Sequence, residues 1–166
     1  MTERQKFDLV KKIDGIEIRK YHPCVMADVV VNSEYERAGN IGFRPLVSYI
    51  SQNSIAMTAP VVQEQSADNS WVVSFVMPAG MQINQMPLPK DAKVKLREIK
   101  EHHAAVISFR GITTWNKVTQ KEKELRENLQ REKISIVGPM QVARFDPPWK
   151  PGFARHNEVI LPIKYV

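Results

Sequence analysis

The chain has 166 residues, enough to bury roughly two-thirds of its unfolded surface in one domain without disulfides or a structural metal. A hydrophobic fraction of 43% and a charged fraction of 25% exclude a disordered chain. The net charge of +6 favours anionic partners, but the densest basic run, 117–133, also carries Glu122, Glu124, Glu127 and Glu132 and so reads as a salt-bridged helix face, not a nucleic-acid stripe.

Residues 1–15 are charged and lack the apolar core of a signal peptide. The longest stretch without formal charge, 69–89, is broken by prolines and glycine and cannot span a membrane. Cys24 is the single cysteine and has no internal disulfide partner, which fits a reducing compartment, so a cytoplasmic location is expected.

In chain order, residues 16–21 form the first short strand candidate. Residues 24–31 follow, placing Val25, Ala27, Val29 and Val31 on one face of a half-buried strand. Ser33, with Glu36 three residues on, reads as a capping box that opens a helix. Pro45 lies inside that helix and would cost about 3 kcal/mol in a straight interior, so the chain is expected to kink near Gly42 or to start a new segment there. Strand candidates 55–63 and 70–77 come next. The proline-rich segment 77–89 links them to a further strand candidate at 92–100.

From residue 104 the pattern recurs at an offset of about 80. Strand candidate 104–111 places Ala105, Ile107 and Phe109 on the face matching Val25, Ala27 and Val29. Thr113 or Thr114 can cap a second helix, whose apolar stripe is Trp115, Val118, Leu125 and Leu129; Trp115 and Val118 match Tyr35 and Ala38 of the first. Strand candidates 135–145 and 157–163 close the series. The expected fold is α+β: a distorted antiparallel β-barrel flanked by two α-helices, built from pseudo-duplicated β-α-β-β units at about 16–78 and 92–164, in a single domain over 1–166.

The strings IEIRKY (16–21), GFRPLVSYI (42–50), IAMTAPV (55–61), VVSFVMP (72–78) and DPPWKPGFARHNEV (146–159) resemble the SOUL heme-binding proteins in order and spacing, over nearly the whole chain. The resemblance implies a distorted barrel with two helices and the binding of heme or a related tetrapyrrole. The same duplicated architecture resembles the effector-binding domains of some multidrug-responsive regulators and gyrase-inhibitor-like proteins, which take varied small molecules.

A heme site needs an apolar slot, donors for the propionates and, optionally, an axial ligand. Some family members place a histidine on the first strand where this chain has Lys20, and a protonated lysine is a poor iron ligand. His22, two residues on, is the possible axial ligand, or else an ordinary strand-end histidine. His102 and His103 point to opposite faces of a strand and cannot clamp one ion. No Cys and His spacing resembles zinc, so no metal site is expected. On the first helix, Asn40, Arg44, Val47, Ser48 and Ser51 share one face. In the resembled family this face lies beside the proposed pocket, so Val47 could touch a macrocycle and Arg44 pair with a propionate; the plain alternative is a solvated face.

The loop 146–156 offers Trp149 and Phe153 for stacking and Lys150, Arg155 and His156 for carboxylates, as a lid or as a structural plug. Glu158, which matches Ser74 in the first half, is expected to pair internally with an arginine. Met57, Met77, Met81 and Met86 read as core filler, and Ile55 and Met57 are expected to bury. With no nucleophile–base pair and no phosphate loop, a non-enzymatic carrier or buffer for heme or another flat amphipathic molecule is the leading expectation. A general small-molecule effector module is the alternative. Neither a nucleic-acid partner nor a membrane span is expected.

Overall fold

The computed structural model describes residues 2–166. Its strands are β1 (Glu3–Arg4), β2 (Phe7–Ile13), β3 (Ile16–Tyr21), β4 (Cys24–Asn32), β5 (Thr58–Ala59), β6 (Val61–Ala67), β7 (Ser70–Val76), β8 (Lys95–Ile99), β9 (His102–Arg110), β10 (Ser135–Ile136), β11 (Gln141–Arg144) and β12 (His156–Lys164). The helices are α1 (Tyr35–Gln52) and α2 (Trp115–Arg131). The main sheet runs β2-β3-β9-β12-β11-β6-β7-β4-β8, all antiparallel, with β10 added beside β12, while β1 and β5 form a small parallel pair.

The expected α+β architecture is present as a curled half-barrel whose edges, β2 and β8, stay open. Each half has the same pairing, β4–β7–β6 and β9–β12–β11, and the halves join through β6 and β11. The strand that precedes each half crosses to the other: β3 pairs with β9, and β8 pairs with β4.

Both helices pack on one face of the sheet. The alternation of Val25, Ala27, Val29 and Val31, and of Ala105, Ile107 and Phe109, supplies that buried face, and Val118, Leu125 and Leu129 close it from α2. The matched residues Tyr35 and Trp115 meet at the helix starts with ring centroids 5.3 Å apart, and Trp71 completes the cluster. Gly42 is required where α1 crosses β7, because a Cβ there would lie 2.6 Å from Val73 Cβ.

Several local expectations are corrected. Helix α1 is continuous through Pro45, so no new helical segment starts there. Ile41 is half exposed, so water can serve the carbonyl that the missing Pro45 N–H leaves free. The Ser33–Glu36 capping box does not form: the N-cap is Glu34, with no side-chain cap, whereas Thr114 caps α2 by accepting from the Lys117 N–H. Candidate 55–63 divides into β5 and the start of β6, and 135–145 into β10 and β11. Ile55 is buried, but Met57 is 37% exposed because it precedes the first paired residue of β5.

Strand β2 has no counterpart among the sequence expectations, since its residues are exposed or nearly so and carry no clean alternation. Its hairpin with β3 turns on Asp14 and Gly15, both at positive φ, the geometry of a two-residue type I′ turn.

Candidate functional site

The face of the sheet away from the helices carries the chain's buried charges. One row of cross-strand partners runs Asp28, Ser74, Val62, Ala143, Glu158, Ser108 over β4, β7, β6, β11, β12 and β9. Asp28 and Ser108 occupy matched positions in the two halves, as do Ser74 and Glu158, so acid and serine exchange places between them. Each acid sits beside its serine: Ser74 Oγ donates to Asp28 at 2.5 Å and Ser108 Oγ to Glu158 at 3.5 Å.

Each acid is also closed by an arginine from the crossed-over strand. Arg19 of β3 donates from Nη1 and Nη2 to the two oxygens of Glu158, both at 2.9 Å, and its Nε reaches Glu17 at 2.8 Å. Arg97 of β8 donates to Asp28 from Nε at 2.6 Å and from Nη2 at 3.4 Å. Burial pushes the Glu158 carboxyl up, but hydrogen bonds from His156 and Arg19 and the charge of Arg19 outweigh it, leaving it below the usual range. Burial pushes the Tyr21 hydroxyl, a neighbour of Arg19, up to about 12. The internal arginine pair expected for Glu158 is therefore formed.

Chain residues 3–7 lie over this face. Arg4 stands above the Phe145 ring, Gln5 N–H donates to the Ala59 carbonyl at 2.9 Å, and Phe7 packs under the Arg19 guanidinium, 4.0 Å from its ring centroid. A cavity of about 330 Å³ remains beside Gln5, lined by Tyr21, Met26, Arg97, His102, Gln141 and Ile160. Its volume is at the low end for small-molecule sites. Tyr21 and His102 stack in its wall at 5.4 Å. Sequence reasoning missed this cavity; the exchange of Asp28 and Glu158 for serines across the repeat was the signal that could have located it.

The residues singled out from the sequence fall in two other places. On α1, Asn40, Arg44 and Ser48 are exposed around Val47, which is half-buried against the core. None of the three polar side chains has a hydrogen-bond or ion-pair partner among the described residues. In the 146–155 loop, Trp149 and Phe153 are 84% and 82% exposed. Lys150 is paired with Asp146 at 3.1 Å, and Arg155 donates to the carbonyls of Lys150 and Pro148. No hydrogen bond or ion pair among the described residues joins the helix set to the loop set.

His22 Nε2 lies 3.0 Å from Asp8 Oδ1 at a strand end, with the side chain 43% exposed. Lys20 is half exposed, 3.8 Å from Glu101. Burial pushes the Cys24 thiol up and disfavours the thiolate a metal would need. Among the described residues, no three His, Cys, Asp or Glu side chains converge as a metal group, and no helix is long and apolar enough to cross a membrane.

The fold recurs in solved structures of low identity. A hydrolase from Listeria innocua aligns with a TM-score of 0.61 at 12% identity, over 90% of this chain and 91% of that one. The EcmrR C-terminal domain aligns with a TM-score of 0.64 at 11% identity, over 91% and 98%. SAV2435 bound to tetraphenylphosphonium aligns with a TM-score of 0.52 at 11% identity, over 90% and 93%. At these identities the likeness is one of fold. No curated protein is matched by the sequence. The family model for the SOUL heme-binding protein matches residues 2–162, nearly the whole length, and the chain belongs to that family.

Proposed function

We propose that the protein is a single-domain cytoplasmic carrier or buffer that binds heme or a related tetrapyrrole reversibly and does not transform it. The observation that carries this reading over a multidrug-type alternative is the closure of Glu158 by Arg19. A lipophilic cation of the kind held by SAV2435 is attracted by an unpaired buried carboxylate, and both interior acids here are already neutralised by arginines. The net charge of +6 and the free Arg44 instead suit a ligand that carries carboxylates.

The residues present fit the body and propionates of heme better than its iron. Val47 offers an apolar contact inside a polar ring of Asn40, Arg44 and Ser48, and Trp149 and Phe153 offer exposed faces for stacking. Lys150 and Arg155 add positive charge beside them. His22, engaged with Asp8, makes a weak candidate for an axial ligand, so binding rests on macrocycle and propionate contacts. When bound, the heme would supply its own redox chemistry; the chain's residues hold, orient and shield it.

The 330 Å³ cavity supports a second reading, a general site for small effectors. Parallel titrations with ferric heme and with tetraphenylphosphonium separate the two. Saturable perturbation of the heme absorbance with no saturable response to the cation supports the heme reading; the reverse supports the effector module.

A further inference from the structure

The loop 146–155 leaves a Trp and a Phe almost fully in water when no ligand is bound. We infer that this loop docks the protein on an anionic bilayer surface, with Trp149 and Phe153 entering the interface.

Two large aromatic rings at 84% and 82% exposure on one short loop are unusual for a free surface, and Ile112, 63% exposed, lies against Gly152 and extends the apolar area. The loop does not expose these rings by being loose. Arg155 donates to the carbonyls of Pro148 and Lys150, Arg110 donates to that of Ala154, and the Asp146 carboxylate accepts from the His156 N–H. Three of its residues, Pro147, Pro148 and Pro151, have no N–H at all, and Lys150, Ala154 and Arg155 donate theirs within the loop. Much of the backbone is thus already satisfied, which lowers the cost of moving the tip from water into a headgroup layer. Trp favours that layer, where its ring is buried and its N–H remains wet.

Charge selects the surface. Arg110, Lys150 and Arg155 flank the rings against the single acid Asp146, and the whole chain carries +6. This pattern of exposed aromatics among cations matches an anionic leaflet better than a neutral one. The inference goes beyond the heme reading and does not depend on it, because docking needs no ligand.

The test is co-sedimentation of the heme-free, full-length protein with vesicles of phosphatidylcholine containing about one-third phosphatidylserine, a composition on the anionic side of natural leaflets. Binding should weaken at least tenfold in 0.5 M salt or with phosphatidylcholine alone, and at least tenfold in a Trp149→Ser/Phe153→Ser variant whose circular dichroism matches the parent. Brominated lipid should quench the parent's tryptophan emission and leave that of the Trp149→Ser variant unchanged. Absence of sedimentation, equal sedimentation with neutral vesicles, or unaltered binding by the double variant would overturn the proposal. So would a concentration-dependent dimer abolished by the double variant, which would assign the rings to a second copy of the chain. Heme titration without vesicles reports on the other reading separately.

Discussion

Arg19 and Glu158 meet across strand β9 as a two-bond pair, both contacts 2.9 Å long, with side chains only 7% and 4% exposed. One partner comes from the strand that opens the first half and the other from the last strand of the second. The pair therefore ties the crossed-over β3 to the half it borrows, and it fills with matched charge the place where an unpaired acid would attract a cation.

Removing one member of such a pair leaves a buried charge without its counter-ion. Arg19→Met is expected to lower stability by about 3–5 kcal/mol, and Arg19→Met/Glu158→Leu to recover most of that loss. Urea unfolding of the two single variants and the double variant measures the coupling. Additive losses would show that the pair contributes no more than its separate contacts.

Acid should act through the same carboxylate. Glu158 is held below its ordinary value of 4.5, and Asp146 below 3.8, the latter chiefly by the His156 backbone N–H. Groups with depressed folded values contribute stability that is complete above the unfolded value and is lost as pH falls through the folded one. The urea midpoint should thus be flat above about pH 5 and fall below about pH 4, and Glu158→Gln should have a shallower acid limb. A midpoint that falls equally in both proteins would remove Glu158 from the explanation.

Gly42 fixes how closely α1 can approach the sheet. A methyl group there meets Val73 Cβ at 2.6 Å, so Gly42→Ala should destabilise by about 1–3 kcal/mol despite its better helix propensity. Val73→Ala placed in the same chain should restore part of the loss. Thermal melts of the parent and the two variants decide it, and a Gly42→Ala protein as stable as the parent would mean that the helix shifts freely.

The fold was legible where an unbroken apolar alternation faces the helices. Residues 24–31 and 104–111 alternate because the helices cover one side, and they are strands β4 and β9. Strand β2 was illegible because its residues are exposed or nearly so and do not alternate, and its Asp14–Gly15 turn was the only local signal. The interior arginines were half legible. Glu158 announced a partner because a strand acid must be paired, but Arg19 is far away in sequence and the crossing of β3 to β9 cannot be read from local pattern. Pro45 left a kink or a new helical segment open in the sequence, and the unbroken run of α1 from Tyr35 to Gln52 removes the second, because packing on the sheet carries the helix past the proline.

The surface residues give the ligand a specific signature. Asp8 and His22 form an exposed pair worth about 0–1 kcal/mol, so His22→Ala should leave both stability and heme affinity nearly unchanged. Arg44→Gln should weaken heme three- to tenfold, in the range of about 1 kcal/mol expected of one exposed charge-assisted contact. Titrations followed by heme absorbance compare the variants, and loss of binding in His22→Ala alone would reverse the assignment.

The most direct measurement is a parallel titration of the purified protein with ferric heme and with iron-free protoporphyrin, followed by absorbance and by quenching of Trp71, Trp115 and Trp149. A site built from macrocycle and propionate contacts gives saturable one-to-one binding of both, with similar affinities. Saturable binding of heme alone would show that iron ligation carries the interaction, and saturable binding of neither would contradict tetrapyrrole recognition altogether.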